Sequence, residues 1–282
     1  MATITRLAPA KLNLTLDVTG SAPNGYHTLD MVMHTVDLCD TVTVEDADEL
    51  TMRCPQWLPA GPGNLAWKAA DRLRQAAGVT RGACITLEKR IPAQAGMGGG
   101  SADAAAVLLA LNDLWGLGWT VERLAEAGVT LGADVPFALR GGTARVTGIG
   151  ERVEPLKPAR PLWFVLAKPE GGVDTGACYR CYDELGAERR PVNDRFVPAL
   201  LAGDLADMAR WGGNALEPAA VALLPAVGEL LARLAACGGV YTAMTGSGAA
   251  VFSTFASEEE ARRALAALGP VPWSAVARSW AG

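Results

Sequence analysis

Six positions near the middle of the chain, Gly96-Met-Gly-Gly-Gly-Ser101, carry the clearest chemical signal. Glycine lets backbone N–H groups approach an anion with no Cβ in the way. A strand-like stretch, Cys84 to Lys89, leads into this loop, and an alanine- and leucine-rich helix reaching about Trp115 follows it. Such a helix presents unpaired N–H donors and the positive end of its dipole, and Ser101 adds a hydroxyl at its start. That is the chemistry of a phosphate site; the plain alternative is a tight turn that binds nothing. Other phosphate-binding signatures are missing: G-x-x-x-x-G-K-[ST], a G-x-G-x-x-G in the first strand–helix unit, H-R-D and D-F-G.

The elements that must position this loop are legible from pattern. Lys11 to Thr19 alternates as a strand, with Leu12, Leu14, Leu16 and Val18 on one face and Lys11, Asn13, Thr15 and Asp17 on the other. Gly20 to Gly25 is a turn, and Leu29 to Val44 holds two further strand-like stretches. Asn64 can cap an amphipathic helix that runs to Ala77 and stops at Gly78. A short helix covers Thr120 to Glu126, Gly132-Ala-Asp-Val-Pro-Phe137 opens another, and Gly142 to Val153 reads as strand and turn. The proline-rich stretch Pro155 to Pro161 is the best boundary candidate. Beyond it come a strand at Leu162 to Ala167, helices from about Thr175, Val197 and Ala219, and a strand pair around Met244-Thr-Gly-Ser-Gly248. Ser257-Glu-Glu-Glu260 is a capping box, and Trp273 to Arg278 is a last strand.

Composition bounds the function classes. The chain has 282 residues, half of them hydrophobic and a fifth charged, which excludes a disordered or collagen-like chain and suggests two domains. A net charge of −5 gives no global attraction for nucleic acid or an anionic membrane, so any phosphate must be held locally. Met1 to Thr19 has neither a basic leader nor an unbroken apolar run. The longest uncharged run, Leu234 to Ser257, is interrupted by Gly238, Gly239, Gly246 and Gly248. A cytoplasmic protein is expected. Six scattered cysteines read as free buried thiols, and Cys178 with Cys181 is a lone C-x-x-C without a second pair to complete a zinc site.

Three segments together are similar to the three motifs of the GHMP kinases: Pro9-Ala-Lys-Leu-Asn-Leu14, Pro92-Ala-Gln-Ala-Gly-Met-Gly-Gly-Gly-Ser-Ala102 and Thr245-Gly-Ser-Gly-Ala-Ala-Val251. Adding Asn24-Gly-Tyr-His-Thr-Leu29, Gly132-Ala-Asp-Val-Pro136 and Asn214-Ala-Leu-Glu-Pro218, the ordered set resembles the branch acting on 4-diphosphocytidyl-2-C-methyl-D-erythritol. The departures are Met97 for the usual leucine, Ala102 for a frequent second serine and Ala249 for a common proline. Met97 keeps volume and apolarity, whereas Ala102 removes a hydroxyl able to contact the nucleotide.

The resemblance implies an α+β, two-domain GHMP kinase fold. Residues 1–154 would form an ATP-binding, ribosomal-protein-S5-like domain. Residues 155–282 would form a ferredoxin-like α/β sandwich contributing to a substrate cleft between the domains. It implies ATP as cofactor, with Mg2+, and phosphorylation of the substrate's 2-hydroxyl in non-mevalonate isoprenoid precursor biosynthesis. Lys11 and Asp134 match the catalytic pair facing the hydroxyl and the γ-phosphate. Opposite charges about 4 Å apart attract by roughly 4 kcal/mol at an effective dielectric near 20, enough to keep Asp134 ionised and in place. Taken singly, a surface lysine and a helix-cap aspartate are the ordinary readings of these two residues.

Pro92, Ala93, Gln94, Ala95, Gly96, Met97, Gly98, Gly99, Gly100, Ser101 and Ala102 carry over as the ATP-phosphate loop, and Asn64, Leu65 and Lys89 as adenosine-pocket residues. Tyr26 and His27 match the cytosine-binding pair, and Tyr179, four residues after Thr175, the aromatic stacking on the other face of the base. Asn13 would contact the methylerythritol hydroxyls. Gly246, Ser247 and Gly248 form a turn closing near phosphates and substrate, with a plain hairpin as its competitor. No residue is assigned as a metal ligand. The expected partner is a small-molecule cytidyl substrate, without nucleic acid or membrane, for a monomer or weak homodimer. Two rivals stay open: a homoserine- or mevalonate-type GHMP kinase, and a nucleotide-binding regulator without turnover.

Overall fold

The computed structural model describes residues 2–23, 25–186 and 192–280. Two compact units emerge. One comprises Met1–Ala10, Leu38–Ile91 and Gly98–Gly141, and the other Lys11–Asp37, Pro92–Met97 and Gly142–Gly282. Two long strands, β1 (Thr3–Ser21) and β2 (His27–Ala47), supply residues to both. The pattern predicts two stretches where β2 runs unbroken.

In the first unit β3 (Leu50–Arg53) is followed by α1 (Leu65–Ala77) and β4 (Gly82–Glu88). Then come α2 (Gly99–Leu114), α3 (Val121–Gly128) and α4 (Val135–Arg140). β4 pairs antiparallel with the second half of β2, Val42 opposite Leu87, and parallel with β3. The ends of α1 are fixed by local chemistry: the Asn64 side chain accepts from the Ala66 amide, and Gly78 adopts a left-handed φ of 65° to stop it. Leu73 on α1 and Leu108 and Leu111 on α2 are fully buried with Val42 and Ile85, each such side chain contributing about 2 kcal/mol. The alanines of α2 let its backbone pack closely; Ala104 and Ala110 have no exposed surface.

The second unit continues with β5 (Thr143–Gly148), β6 (Arg152–Leu156), β7 (Trp163–Lys168), α5 (Thr175–Leu185), α6 (Asn193–Ala202) and α7 (Leu205–Trp211). It ends with β8 (Gly213–Asn214), α8 (Glu217–Leu223), α9 (Ala226–Ala235), β9 (Tyr241–Met244), β10 (Val251–Phe255), α10 (Glu258–Leu268) and β11 (Trp273–Arg278). Here β1 pairs parallel with β8, and the first half of β2 pairs antiparallel with β5, which pairs with β6. Four strands form an antiparallel sheet in the order β11-β7-β10-β9. With α9 before β9 and α10 before β11, that is the ferredoxin-like order. The expected boundary between residues 154 and 155 lies within β6.

All six cysteines are free, yet only Cys39 and Cys178 are buried; the other four are half-buried, short of the burial expected. Among the described residues no helix is long and apolar enough to cross a membrane.

Candidate phosphoryl-transfer site

The first departure from pattern lies in β1. Alternation predicts one apolar and one polar face, and the structure buries both: Lys11 is 8% exposed, Asn13 1%, Thr15 0% and Asp17 2%. Buried polar groups cost free energy unless bonded, and two of this stripe, Asn13 and Thr15, are bonded to distant chain. The Lys11 ammonium donates to Asn13 Oδ1, and the Asn13 amide donates to Thr245 Oγ1 at 2.9 Å. Thr15 Oγ1 donates to Asn193 Oδ1 and accepts from the Val32 amide at 3.1 Å.

Around this stripe the second unit gathers parts of all three motif segments, two of them glycine-bearing. The Lys11 amide donates to the Met97 carbonyl at 3.0 Å. Thr245 Oγ1 donates to the Gly96 carbonyl at 3.3 Å, while the Ala249 and Ala250 amides donate to Gln94 and Ala95, each at 3.2 Å. The turns meet backbone to backbone. Gly96 has a φ of 69°, and a Cβ there would stand 2.1 Å from the Thr245 carbonyl oxygen. A Cβ on Gly246 would stand 2.9 Å from the Gly96 carbonyl oxygen and 3.3 Å from Asn13 Oδ1. The Gly246-Ser-Gly248 turn is therefore more than a hairpin connection, because it forms one wall against the loop.

Asn214 and Glu217, to which the sequence alone assigns no role, support this turn. Asn214 Nδ2 donates to both the Met244 and Gly246 carbonyls at 2.8 Å, and Glu217 Oε2 accepts from the Met244 amide. Burial pushes the Glu217 carboxyl above its usual range, against the pull of that amide. The Asn214-Ala-Leu-Glu-Pro218 string was the available signal. It marks the residues that hold the Gly246-Ser-Gly248 turn.

In the first unit, α2 begins at Gly99 with Gly98 as its N-cap, so Ser101 is the third helical residue and lies in the first turn. A Cβ on Gly132 would lie 3.6 Å from Ser101 Oγ and 3.9 Å from Leu65 Cδ2. Two residues on, Asp134 occupies the N-cap position of α4, yet its side chain makes no capping hydrogen bond. Asn64 is occupied as a cap and also donates to the Pro59 carbonyl at 3.1 Å.

Lys89, expected in the adenosine pocket, holds its ammonium between the buried carboxylates of Asp40 and Asp103, 2.6 Å from Asp103. Asp40 also accepts from the Arg90 and Ile91 amides, which fastens the chain just before the loop. Burial raises Asp103 well above the usual carboxylate range, with Lys89 pulling it back. A Cβ on Gly99 would lie 3.5 Å from Lys89 Nζ, so this ion triad sits against the first turn of α2. No local pattern links these acids to Lys89 in the sequence.

The expected base site lies in the second unit, although Asn24 falls outside the described residues. Tyr26 is 66% exposed. The His27 ring stacks on Tyr179, with centroids 4.7 Å apart and planes at 20°, where sequence reading put the base itself against Tyr179. Thr175 Oγ1 lies 2.9 Å from Ser247 Oγ, tying the start of α5 to the Gly246-Ser-Gly248 turn. His34 is in the core, bonded to Thr143 and Ser279, and desolvation lowers its pKa to about 4.

Comparison with known proteins agrees with this architecture. The family model for the GHMP kinases N terminal domain matches residues 64–142, and that for the GHMP kinases C terminal matches residues 196–271. A 4-diphosphocytidyl-2-C-methyl-D-erythritol kinase of Pelotomaculum thermopropionicum is 45% identical over 275 residues, covering 93% of each chain. One from Geobacter metallireducens is 44% identical over 267 residues, covering 94% of this chain and 93% of its own. A crystal structure of 4-(cytidine 5'-diphospho)-2C-methyl-D-erythritol kinase superposes with a TM-score of 0.84 at 37% identity, covering 99% of this chain and 100% of that one. A homoserine kinase from Cytophaga hutchinsonii shares the fold, with a TM-score of 0.77 at 21% identity over 99% of this chain and 95% of its own. With that identity spread along nearly the whole chain, the protein belongs to the 4-diphosphocytidyl-2-C-methyl-D-erythritol kinase family of GHMP kinases.

Proposed function

We propose that this chain transfers the γ-phosphate of ATP to the 2-hydroxyl of 4-diphosphocytidyl-2-C-methyl-D-erythritol, giving the 2-phosphate and ADP in non-mevalonate isoprenoid precursor biosynthesis. The observation that carries the reading is the meeting, in one unit, of the Lys11 strand, the Gly96 loop and the Thr245–Gly248 turn. An ammonium and side-chain-free amides are the groups that hold a phosphate, which is what supports the reading.

The roles follow from charge and reach. Pro92 to Ala102 cradles the ATP phosphates, while Asn64, Leu65 and Lys89 border the adenosine. Asp134, whose carboxylate does not cap α4, accepts the proton of the 2-hydroxyl. Lys11 offsets charge on the transferring phosphoryl group. In a loose transition state, positioning and charge stabilisation outweigh base strength. Asn13 and the Gly246-Ser247-Gly248 turn orient the methylerythritol, and Tyr26, His27, Thr175 and Tyr179 hold the cytidine end. Thr175 and Tyr179 share α5, so one rigid element relates the base to the reacting end.

Magnesium enters with ATP in this reading. The ion takes most of its oxygen ligands from phosphates and water and needs no protein cage, and the Ser101 hydroxyl beside Gly132 fits as one hard donor. When bound it neutralises charge on the β- and γ-phosphates. Residues 1–154 and 155–282 would act as the ATP and substrate domains, consistent with family matches on either side of that boundary. The enzyme would work in the cytoplasm as a monomer or weak homodimer.

A coupled ADP-release assay comparing the cytidyl substrate with homoserine and mevalonate tests this directly. Release with the cytidyl substrate alone is expected; release with homoserine or mevalonate instead would make this a different GHMP kinase.

A further inference from the structure

We propose that Asp183 is a positioning residue that fixes which ring nitrogen of His27 carries the hydrogen, and through it the preference of the base site for cytosine over uracil. The proposal deepens the function above and rests on it. α5 presents Tyr179, Tyr182 and Asp183 at i, i+3 and i+4, hence on one face. All three engage His27, the first residue of β2. Tyr179 stacks on the imidazole at 4.7 Å, Tyr182 meets it edge-on at 6.2 Å and 84°, and Asp183 Oδ1 lies 2.8 Å from His27 Nε2.

The two tyrosines set the plane of the ring. Among the described residues, Asp183 is the side chain bonded to a ring nitrogen of His27, and it decides the ring's hydrogen. An ionised carboxylate can only accept, so Nε2 must donate, and the neutral ring then has Nδ1 as an acceptor. The same device, a carboxylate orienting a histidine through its second nitrogen, fixes the tautomer of metal-binding histidines. Cytosine and uracil differ at position 4, where cytosine has an amino donor and uracil a carbonyl acceptor. An acceptor at Nδ1 bonds the amino group and opposes the carbonyl; the other tautomer inverts that preference. The His27 side chain is 16% exposed, dry enough for an unpaired polar group to matter, while Asp183 at 58% is free of any core role.

The test uses the whole protein in two readouts. In the ADP-release assay, CDP and UDP compete with the cytidyl substrate for wild type, Asp183→Ala and Asp183→Glu. CDP is expected to inhibit wild type at least about tenfold more strongly than UDP, Asp183→Ala to lose most of that ratio with little change in kcat, and Asp183→Glu to restore part of it. In 15N spectra at about pH 8, where an ordinary imidazole is neutral, His27 should show the Nε2–H tautomer in wild type and a mixture in Asp183→Ala. The chain has only two histidines, and a His27→Gln spectrum assigns the signals. An unchanged tautomer or an unchanged CDP-to-UDP ratio in Asp183→Ala overturns the proposal. Wild type that binds neither nucleotide overturns the functional reading instead, and the spectra still decide the Asp183 contact.

Discussion

The proposed phosphate end and the proposed base end of the second unit are built from different materials. Around Gly96 the holding contacts are largely main-chain: Lys11 to Met97, Ala249 to Gln94, Ala250 to Ala95. Around His27 they are side-chain: two tyrosines and an aspartate from a single helix, with Tyr26 exposed. A phosphate can be recognised by groups every residue owns, provided nothing blocks them, so a site of that kind is specified by missing side chains and tolerates little change. A base is recognised by particular side chains, so that site can be retuned residue by residue without disturbing the fold.

The sharpest way to break the contrast is a matched pair of glycine substitutions. Gly96→Ala forces a Cβ to within 2.1 Å of a carbonyl oxygen, whereas Gly25 has a φ of 81° with nothing within 4 Å of an added Cβ. Gly96→Ala is expected to cost about 3 kcal/mol or more in urea unfolding and at least ~10²-fold in turnover, against about 1 kcal/mol for Gly25→Ala. Similar losses at both positions would erase the distinction.

Next in size are the charged groups at the phosphate end. Lys11→Ala and Asp134→Asn should each lower kcat by at least ~10²-fold with small changes in KM, measured by steady-state ADP release. Near-wild-type turnover in Asp134→Asn would remove it from the proton-transfer role.

The two histidines carry the comparison further. His34 is buried with its pKa lowered to about 4, so the unfolded chain binds its proton more readily than the folded one. Stability is therefore full above about pH 6.5 and falls by about 2 kcal/mol as pH drops toward 4.5, readable as a shift in urea midpoint that His34→Gln should flatten. His27, at the base end, should leave stability nearly unchanged on replacement. His27→Ala is expected to raise KM for the cytidyl substrate about tenfold while kcat stays within about a factor of two, from the loss of base contacts.

How much was legible in the sequence follows the same division. Asn64 and Gly78 fixed the ends of α1 because capping is local, and the capping box at Ser257 is real, with the Glu260 amide bonded to Ser257 Oγ. The glycine loops were legible for a related reason, since they are contiguous and chemically odd. The buried polar face of β1 was not, because the partners of Asn13 and Thr15 lie at Thr245 and Asn193, far along the chain. Helices α7 and α9 were missed: Gly203 ends α6 in a left-handed turn before Asp204 caps α7, and Leu224-Pro225 breaks α8 from α9 inside one apolar stretch. Asp183 and the Asp40–Lys89–Asp103 triad left no local trace, since exposed acids on helices are common and burial belongs to the tertiary fold.

The most direct test is a proton-coupled 31P spectrum of the product made from ATP and the cytidyl substrate. The 2-hydroxyl stands on a carbon that also bears the methyl group and has no hydrogen, so phosphate placed there gives an unsplit phosphomonoester signal. That unsplit signal, dependent on Asp134, is the expected result; a signal split by neighbouring carbon-bound hydrogens, or no new phosphomonoester at all, would contradict it.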